Sequence, residues 1–362
     1  MSAQVKIASM KYLPILEVRP AEMMALQELP EKDKDLLLPL FRIRPWVSAE
    51  KLSSALDRLK VAFGERPSFI EVAEADVNKP VKEREVHAEL RALRDSSGGF
   101  RNWQKFFVSE GNERFIPALQ LRDPSEYVAQ VRFFHQLGRG ILVRIDMGLD
   151  SLAEGIARLT SAETDGGEGV VFVLDYGKQG SRFVDSSSSI AFIAEAVLRA
   201  APKSKVAISA SSFPDAFTGI GSQAIFERNL YQSLVSRIPG LIFSDRGSAR
   251  AERQLGGGGA PAPRIDFAKS GEWLFFRDDG GTGTRLSAYQ RQAKALMGSE
   301  HWDANLKLWG CQMIEKTSLA DESGITSPSR STSARINIHI HQQLHYGDQF
   351  GLYDTDEEWV DI

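Results

Sequence analysis

The sequence contains a single cysteine, Cys311. One cysteine cannot form an intramolecular disulfide or a cysteine-based zinc site, and such scarcity is typical of a reducing compartment, so we expect a cytoplasmic protein. No run of about 18 uninterrupted apolar residues occurs, and residues 1–10 are too polar for a signal peptide, so no membrane span is expected. An excess of basic charge is also lacking, since the formal net charge is -4. This balance argues against sequence-independent binding of nucleic acid.

The chain instead alternates apolar runs with amphipathic segments. Most of the apolar runs are uninterrupted, which is typical of parallel strands that are buried on both faces. Eight of them are candidate strands, at residues 12–18, 36–43, 68–73, 115–121, 141–145, 170–174, 205–210 and 241–243. Candidate helices lie between them at 48–63, 125–137, 151–159 and 188–200. Eight successive βα units predict an α/β fold with a TIM-like (β/α)8 barrel, and a doubly wound open sheet is the alternative because the sequence does not reveal strand order.

The alternation stops near residue 250, which suggests three regions. We expect the barrel at 10–250, an elaboration with mobile loops over the barrel mouth at 251–332, and a closing helix with an acidic tail at 333–362. The glycine- and proline-rich stretch 256–263 and the polar, serine-rich stretch 318–333 are both predicted to be loops.

Three of the candidate strands end in Asp-x-Gly, at Asp146, Asp175 and Asp245. Ligands bind at the carboxyl edge of parallel sheets, so these aspartates are expected to converge on one mouth as the catalytic carboxylates. Paired carboxylates there can act as general acid and base or bind a divalent metal. Glu71 and Ser211 also lie at strand ends and are expected to line the mouth. The alternative is that each aspartate only ends a strand and stabilises the following turn.

Arginines lie near the same predicted strand ends. Arg44, Arg122, Arg144 and Arg246 are predicted to hold an anionic ligand, because a guanidinium group makes bidentate contacts with phosphate or carboxylate. The alternative is an internal lattice of salt bridges, for instance between Arg144 and Asp175, that fixes the barrel without binding anything.

Three histidines cluster late in the sequence, at His339, His341 and His345. If this segment is helical, His341 and His345 lie one turn apart on the same face, and this spacing can hold a metal ion. A metal site needs a third ligand, and the glutamate of a His-Glu-x-x-His motif is missing. Structural or surface histidines are therefore favoured, and the metal ligands stay unknown.

Short motifs spread along the chain resemble the phage T4 beta protein family. They are Tyr12-Leu13-Pro14-Ile15-Leu16, Leu38-Pro39-Leu40 ahead of Arg44-Pro45, the strand-end Asp175, Ser244-Asp245-Arg246-Gly247, Trp309-Gly310 and Ile336-Asn337-Ile338-His339. The resemblance spans nearly the whole chain and implies a barrel-like α/β domain in a phage or mobile-element setting. It implies no particular reaction and no catalytic residue.

These features predict a barrel with an acidic and arginine-lined mouth that recognises a small anionic ligand. The first hypothesis is a hydrolase that acts on a phosphate-containing or other anionic substrate, with a divalent metal as a conceivable cofactor. The alternative is a non-catalytic protein that binds a ligand or a protein partner in phage–host conflict. The sequence does not decide whether the protein is an enzyme.

Overall fold

A computed structural model of the protein describes residues 3–73, 82–217, 219–250, 262–277 and 282–355. The chain divides into two compact units. The first, which we name the barrel unit, comprises Met1–Arg19, Leu37–Ser212 and Phe226–Arg246. The second unit comprises Pro20–Leu36, Phe213–Ile225 and Gly247–Ile362.

The described residues form strands and helices in the following order. The strands are β1 (Tyr12–Glu17), β2 (Leu40–Ile43), β3 (Ser68–Val72), β4 (Phe115–Pro117), β5 (Ile141–Asp146), β6 (Val170–Lys178), β7 (Lys205–Ser211), β8 (Ser222–Ala224), β9 (Ile242–Asp245), β10 (Arg264–Ala268) and β11 (Glu272–Arg277). The α-helices are α1 (Ala3–Ser9), α2 (Pro20–Gln27), α3 (Glu31–Leu36), α4 (Ser53–Phe63), α5 (Glu85–Leu93), α6 (Ser97–Val108), α7 (Tyr127–Leu137), α8 (Ala153–Ala162), α9 (Ser187–Ala200), α10 (Phe226–Leu234), α11 (Arg285–Met297), α12 (Trp309–Ser318), α13 (Pro328–Leu344) and α14 (Gln349–Tyr353). Within this part of the chain, no helix has both the length and the apolar character needed to cross a bilayer.

The barrel unit is built on an eight-stranded parallel sheet with the order β4-β3-β2-β1-β9-β7-β6-β5. A parallel bridge between Ala118 and Leu142 brings the two edge strands together, so the sheet nearly closes on itself. Helices connect successive strands, as parallel pairing requires. The predicted TIM-like (β/α)8 barrel is therefore confirmed, and the open sheet is excluded.

Apolar side chains fill the interior of the barrel. The buried cluster includes Leu13 and Ile15 of β1, Leu142 of β5, and Val171 and Val173 of β6. Because side chains alternate between the two faces of a strand, these positions identify which residues of each strand point inward. The next inward positions toward the carboxyl ends of the strands carry charged side chains.

Two local predictions were wrong in a physically informative way. A helix was expected from Ser48, but Ser48 has a φ of 58° and the helix begins at Ser53. The stretch 318–333 was expected to be a loop, yet α13 starts at Pro328, and the Ser327 hydroxyl caps it by accepting from the Arg330 amide. Serine is common in loops, so a serine-rich stretch predicts a loop, although a serine directly before a helix stabilises the start of that helix. The predicted loop residues 256–261 and the tail residues 356–362 lie outside the described residues.

The second unit has its own sheet and its own core. Its antiparallel sheet has the order β10-β11-β8. Trp273 and Tyr289 are fully buried in the apolar cluster between this sheet and the helices. Asn337 of α13 donates to the Ala25 carbonyl of α2 at 3.0 Å and accepts from the Gly310 amide of α12 at 3.0 Å. One buried amide side chain thus connects three helices whose sequence positions are far apart.

Candidate anion-binding site at the barrel mouth

Arg144 lies at the centre of a set of charged side chains inside the barrel. Its guanidinium group donates to both carboxylate oxygens of Glu71, with Nε at 2.7 Å from Oε2. Its third nitrogen, Nη1, donates to Asp175 Oδ2 at 2.9 Å. Arg144 thereby connects the carboxyl ends of β3 and β6 through one planar group, which is the geometry that arginine supports and lysine does not.

Asp175 is buried and uses both carboxylate oxygens. Its Oδ2 accepts from Arg144 and from Arg246 Nη2, the latter at 2.5 Å. Its Oδ1 accepts from the backbone amide of Gly177 at 3.1 Å. Gly177 has a φ of 60°, which glycine adopts without strain, so the Asp-x-Gly sequence allows the turn that returns an amide to the carboxylate.

Glu17 continues the set of charges on the other side of Glu71. It accepts from Arg42 Nη1 at 2.8 Å and from Arg44 Nη1 at 3.1 Å. Arg42 Nε also lies 3.7 Å from Glu71 Oε1, which joins the two groups. The more exposed Arg19 also lies near, with Nη2 at 3.8 Å from Glu17 Oε2. The more buried members of the connected set, which we name the mouth network, are Glu17, Arg42, Arg44, Glu71, Arg144, Asp175 and Arg246.

The protonation states of the network follow from the arginines. Burial alone would raise the pKa of Asp175, but the charges of Arg246 and Arg144 outweigh it and lower that pKa below its usual value. The same balance, dominated by burial against the charge of Arg144, lowers the pKa of Glu71. Burial lowers the pKa of Arg246, and repulsion from Arg42 and Arg144 adds to the effect of burial. Both carboxylates are therefore ionised at neutral pH, and Arg246 is a buried guanidinium with one salt-bridge partner among the described residues, Asp175.

Positive charge exceeds negative charge in the mouth network, where four arginines contact three carboxylates. The Nε atom of Arg246 is buried and makes no hydrogen bond to any described residue. The hydroxyl of Ser209, which pairs in register with Asp175 on the neighbouring strand, is likewise buried without such a bond. Buried polar atoms are normally satisfied, so these two atoms are exceptions within the described part of the barrel unit.

The structure brings together five of the nine residues that the sequence singled out. Those five are Arg44, Glu71, Arg144, Asp175 and Arg246. The salt-bridge alternative anticipated the observed pair of Arg144 with Asp175. Ser211 is buried at the end of β7, where its carbonyl accepts from the Gln179 amide at 3.0 Å.

The predicted convergence of three aspartates is wrong, because only Asp175 joins the mouth network. Asp146 is exposed and accepts from the Gly148 amide at 3.0 Å, as the turn interpretation expected. Asp245 is buried but accepts from the Tyr12 hydroxyl at 2.8 Å. Ile242 points into the barrel, so the alternation places Asp245 on the outer face of β9. Arg122 is exposed and donates weakly to the Arg94 carbonyl at 3.4 Å.

Two members of the mouth network, Glu17 and Arg42, were not among the predicted site residues. They can be found from the alternation of side chains between the two faces of a strand. Leu13 and Ile15 of β1 point inward, so Glu17 points inward as well. In the same way, the inward position of Leu40 on β2 implies that Arg42 points inward. Strand-end motifs alone do not distinguish the inner face from the outer face.

A second buried polar cluster lies outside the barrel wall, around Glu227 of α10. Its carboxylate accepts from the Ser212 amide at 3.2 Å and from the Ser212 hydroxyl, while Asp245 is close enough to repel it. Burial raises the pKa of Glu227 to about 7, and the nearby negative charge of Asp245 contributes. The hydroxyl of Ser212 also accepts from the Phe226 amide at 3.1 Å, so this cluster fastens the end of β7 to the start of α10.

A nearly closed parallel barrel with charged side chains at the carboxyl ends of its strands defines a protein of the TIM-barrel class, in which that edge is the usual place of the functional site. Within this class, the chain belongs to the Beta protein family, whose sequence model matches residues 12–345. It is similar to Protein beta of Enterobacteria phage P4, with 26% identity over 361 residues that cover 96% of this chain and 97% of the relative. The resemblance to beta proteins is thus confirmed, but the phage is P4 and not T4.

Proposed function

We propose that the mouth network binds a small anion or the phosphate group of a larger ligand. The observation that carries this proposal is Arg246, a buried guanidinium whose Nε has no hydrogen-bond partner among the described residues. An anion between Arg246 and the Ser209 hydroxyl would satisfy both donors and neutralise the excess charge. Charge-assisted hydrogen bonds of this kind are roughly twice as strong as neutral ones.

In this proposal the carboxylates orient the arginines. Asp175 and Glu71 are ionised and their oxygens accept from guanidinium groups, so neither holds a proton that it could donate to a leaving group. Fixed acceptors hold each guanidinium in one orientation, and this pre-organisation reduces the entropy lost when a ligand binds. Recognition of an anion is therefore better supported than hydrolysis, which would need a group beyond these seven. Membership of the Beta protein family supports a phage-related role for that recognition.

The proposal can be tested by thermal shift with inorganic phosphate, pyrophosphate, nucleotides and sugar phosphates. A ligand at a hundredfold excess over its Kd stabilises the folded state by about 2.7 kcal/mol. For a unit of this size that corresponds to a rise in Tm of roughly 5–10 °C. The rise should be lost in Arg246→Gln and retained in Arg122→Gln, a matched control in which an exposed arginine outside the network is changed.

The comparison uses the ligand-induced change in Tm of each variant, so a lower starting stability of Arg246→Gln does not affect it. An equal response in Arg246→Gln and wild type would place the anion elsewhere. If no anion raises the Tm of the wild type, the mouth network is a structural lattice, and a role in binding a protein partner becomes the better hypothesis. Release of inorganic phosphate from a stabilising ligand would add hydrolysis to recognition.

A further inference from the structure

The second unit contains a buried cluster of two histidines and one aspartate that plays no part in the mouth network. Asp33 lies on α3, His341 on α13, and His345 directly follows α13. The side chains of Asp33 and His341 have no solvent exposure, and that of His345 is 8% exposed. One ligand atom from each residue lies within 4.8 Å of the other two.

The two histidine rings lie close together, and the carboxylate of Asp33 faces both of them. His341 and His345 are four residues apart, and the His345 amide donates to the His341 carbonyl at 3.0 Å, so both rings lie on one side of the last turn. Asp33 Oδ2 lies 2.6 Å from His341 Nδ1, and Asp33 Oδ1 lies 2.9 Å from His345 Nε2. Each carboxylate oxygen thus lies at hydrogen-bond distance from one ring nitrogen, and a metal ion bound by these groups would release the shared protons to solvent.

The second ring nitrogen of His341 is also engaged. His341 Nε2 lies 2.9 Å from the carbonyl oxygen of Leu352, which can only accept, so Nε2 carries the proton. This contact directs Nδ1, the other nitrogen, toward Asp33. Histidines that bind metals usually donate their remaining N–H to a carbonyl or carboxylate in this way, which fixes both tautomer and ring orientation.

We propose that Asp33, His341 and His345 form a binding site for a divalent transition-metal ion, with Zn²⁺ as the expected occupant. Two imidazole nitrogens and one carboxylate oxygen suit zinc and related ions, whereas Mg²⁺ and Ca²⁺ prefer oxygen ligands alone. Ligands about 2.1 Å from a tetrahedral ion are about 3.4 Å apart, so side-chain shifts of less than about 1 Å would admit the ion. A fourth position is left for water or another ligand.

The ion would join parts of the second unit that are distant in sequence. Asp33 and His341 are 308 residues apart, and both belong to the second unit. A further contact links the same regions, since Lys32 Nζ lies 2.8 Å from Asp354 Oδ1. Metal binding would therefore stabilise the packing of α3 against the end of α13, and the free energy of binding would appear as folding stability.

The test uses tag-free full-length protein that is loaded with ZnCl₂, freed of loose metal by gel filtration and analysed by mass spectrometry for zinc. We expect one equivalent of retained zinc and a Tm that rises with zinc and falls with EDTA. Asp33→Asn and His341→Gln should lose the zinc, and the control His135→Gln should keep it, because His135 lies on α7 in the barrel unit. Retention of zinc by both of the first two variants would overturn the proposal.

Either variant could fold poorly, so Co²⁺ is titrated into the unmodified protein as an independent measurement. We expect visible absorption of a four-coordinate cobalt site that saturates at one equivalent and is abolished by Zn²⁺. If cobalt gives no such bands and zinc does not change the Tm, the cluster is a buried ion pair only and the proposal is refuted.

Discussion

Replacing Asp175 by asparagine removes a buried negative charge and keeps nearly the same shape. Arg144 still has both oxygens of Glu71 in the variant. Arg246 instead loses the only carboxylate with which it forms a salt bridge among the described residues. The cost should therefore arise mainly from Arg246, which is 8% exposed and would keep only the more distant attraction of Glu71.

Removing one partner of a buried ion pair typically destabilises a protein by about 3–5 kcal/mol. The asparagine carbonyl can still accept a hydrogen bond, so we expect a loss near the lower end, about 3 kcal/mol. A unit of 150–250 residues loses about 2–4 °C of Tm per kcal/mol, which gives an expected decrease of roughly 6–12 °C at pH 7.

Differential scanning calorimetry of wild type, Asp175→Asn and Asp146→Asn measures this difference. Asp146 is a matched control, because it is the register partner of Asp175, belongs to the same Asp-x-Gly sequence and also accepts from the glycine amide two residues on. It differs in having no salt bridge to an arginine among the described residues and in being exposed. We expect its Tm to change by no more than about 2 °C.

The pH dependence of the Tm difference between wild type and Asp175→Asn tests whether the charge of Asp175 causes that difference. The pKa of Asp175 is lowered in the folded state, so its stabilisation is fully present above the unfolded value of about 3.9 and is lost as the pH falls through the folded value. The difference between wild type and Asp175→Asn should be constant from about pH 5 to pH 8 and shrink below about pH 4. Equal Tm values for Asp175→Asn and wild type at pH 7 would refute the claim that this carboxylate balances Arg246.

Three further predictions concern other parts of the fold. Since the pKa of Glu227 is raised to about 7, the stability of wild type relative to Glu227→Gln should fall by about 3 kcal/mol as the pH rises from about 4.5 to 7, and urea unfolding should find the variant more stable than wild type above pH 7. Gly310→Ala should cost about 1–3 kcal/mol in the same assay, because a Cβ would lie 2.5 Å from the Ala334 carbonyl oxygen; an unchanged midpoint would show that α12 and α13 can separate freely. Burial raises the pKa of the Cys311 thiol, so it should react with a disulfide reagent only after unfolding, and rapid labelling of the native protein would contradict its buried position.

The barrel could be predicted from the sequence because most of its strands are buried on both faces and appear in the sequence as apolar runs. Strand ends were less certain. The predicted strand 115–121 includes β4, which ends at Pro117, and the run 170–174 continues as β6 to Lys178. Apolar composition reports burial, whereas a strand end depends on the neighbouring strand with which the backbone can pair.

The candidate site could be predicted only in part. Asp175, Arg144 and Arg246 were found because they lie at or near the ends of apolar strands, but the same criterion also selected Asp245, which points away from them. The direction of a side chain depends on strand alternation, which becomes readable once one inward residue of each strand is known. The Asp33–His341 contact could not be predicted, because nothing local in the sequence relates residues 308 positions apart.

The second unit is assembled from three separate stretches of chain, one of them between β1 and β2. During synthesis, α2 and α3 leave the ribosome about 300 residues before α13, the helix whose Asn337 donates to the Ala25 carbonyl. Residues 20–36 are therefore synthesised before the remaining barrel strands, and they have no α13 to pack against until synthesis is nearly finished. No contiguous piece of the gene encodes either unit alone, so a nascent chain or a truncation product that ends before α13 would expose the apolar faces of α2 and lack a complete second core.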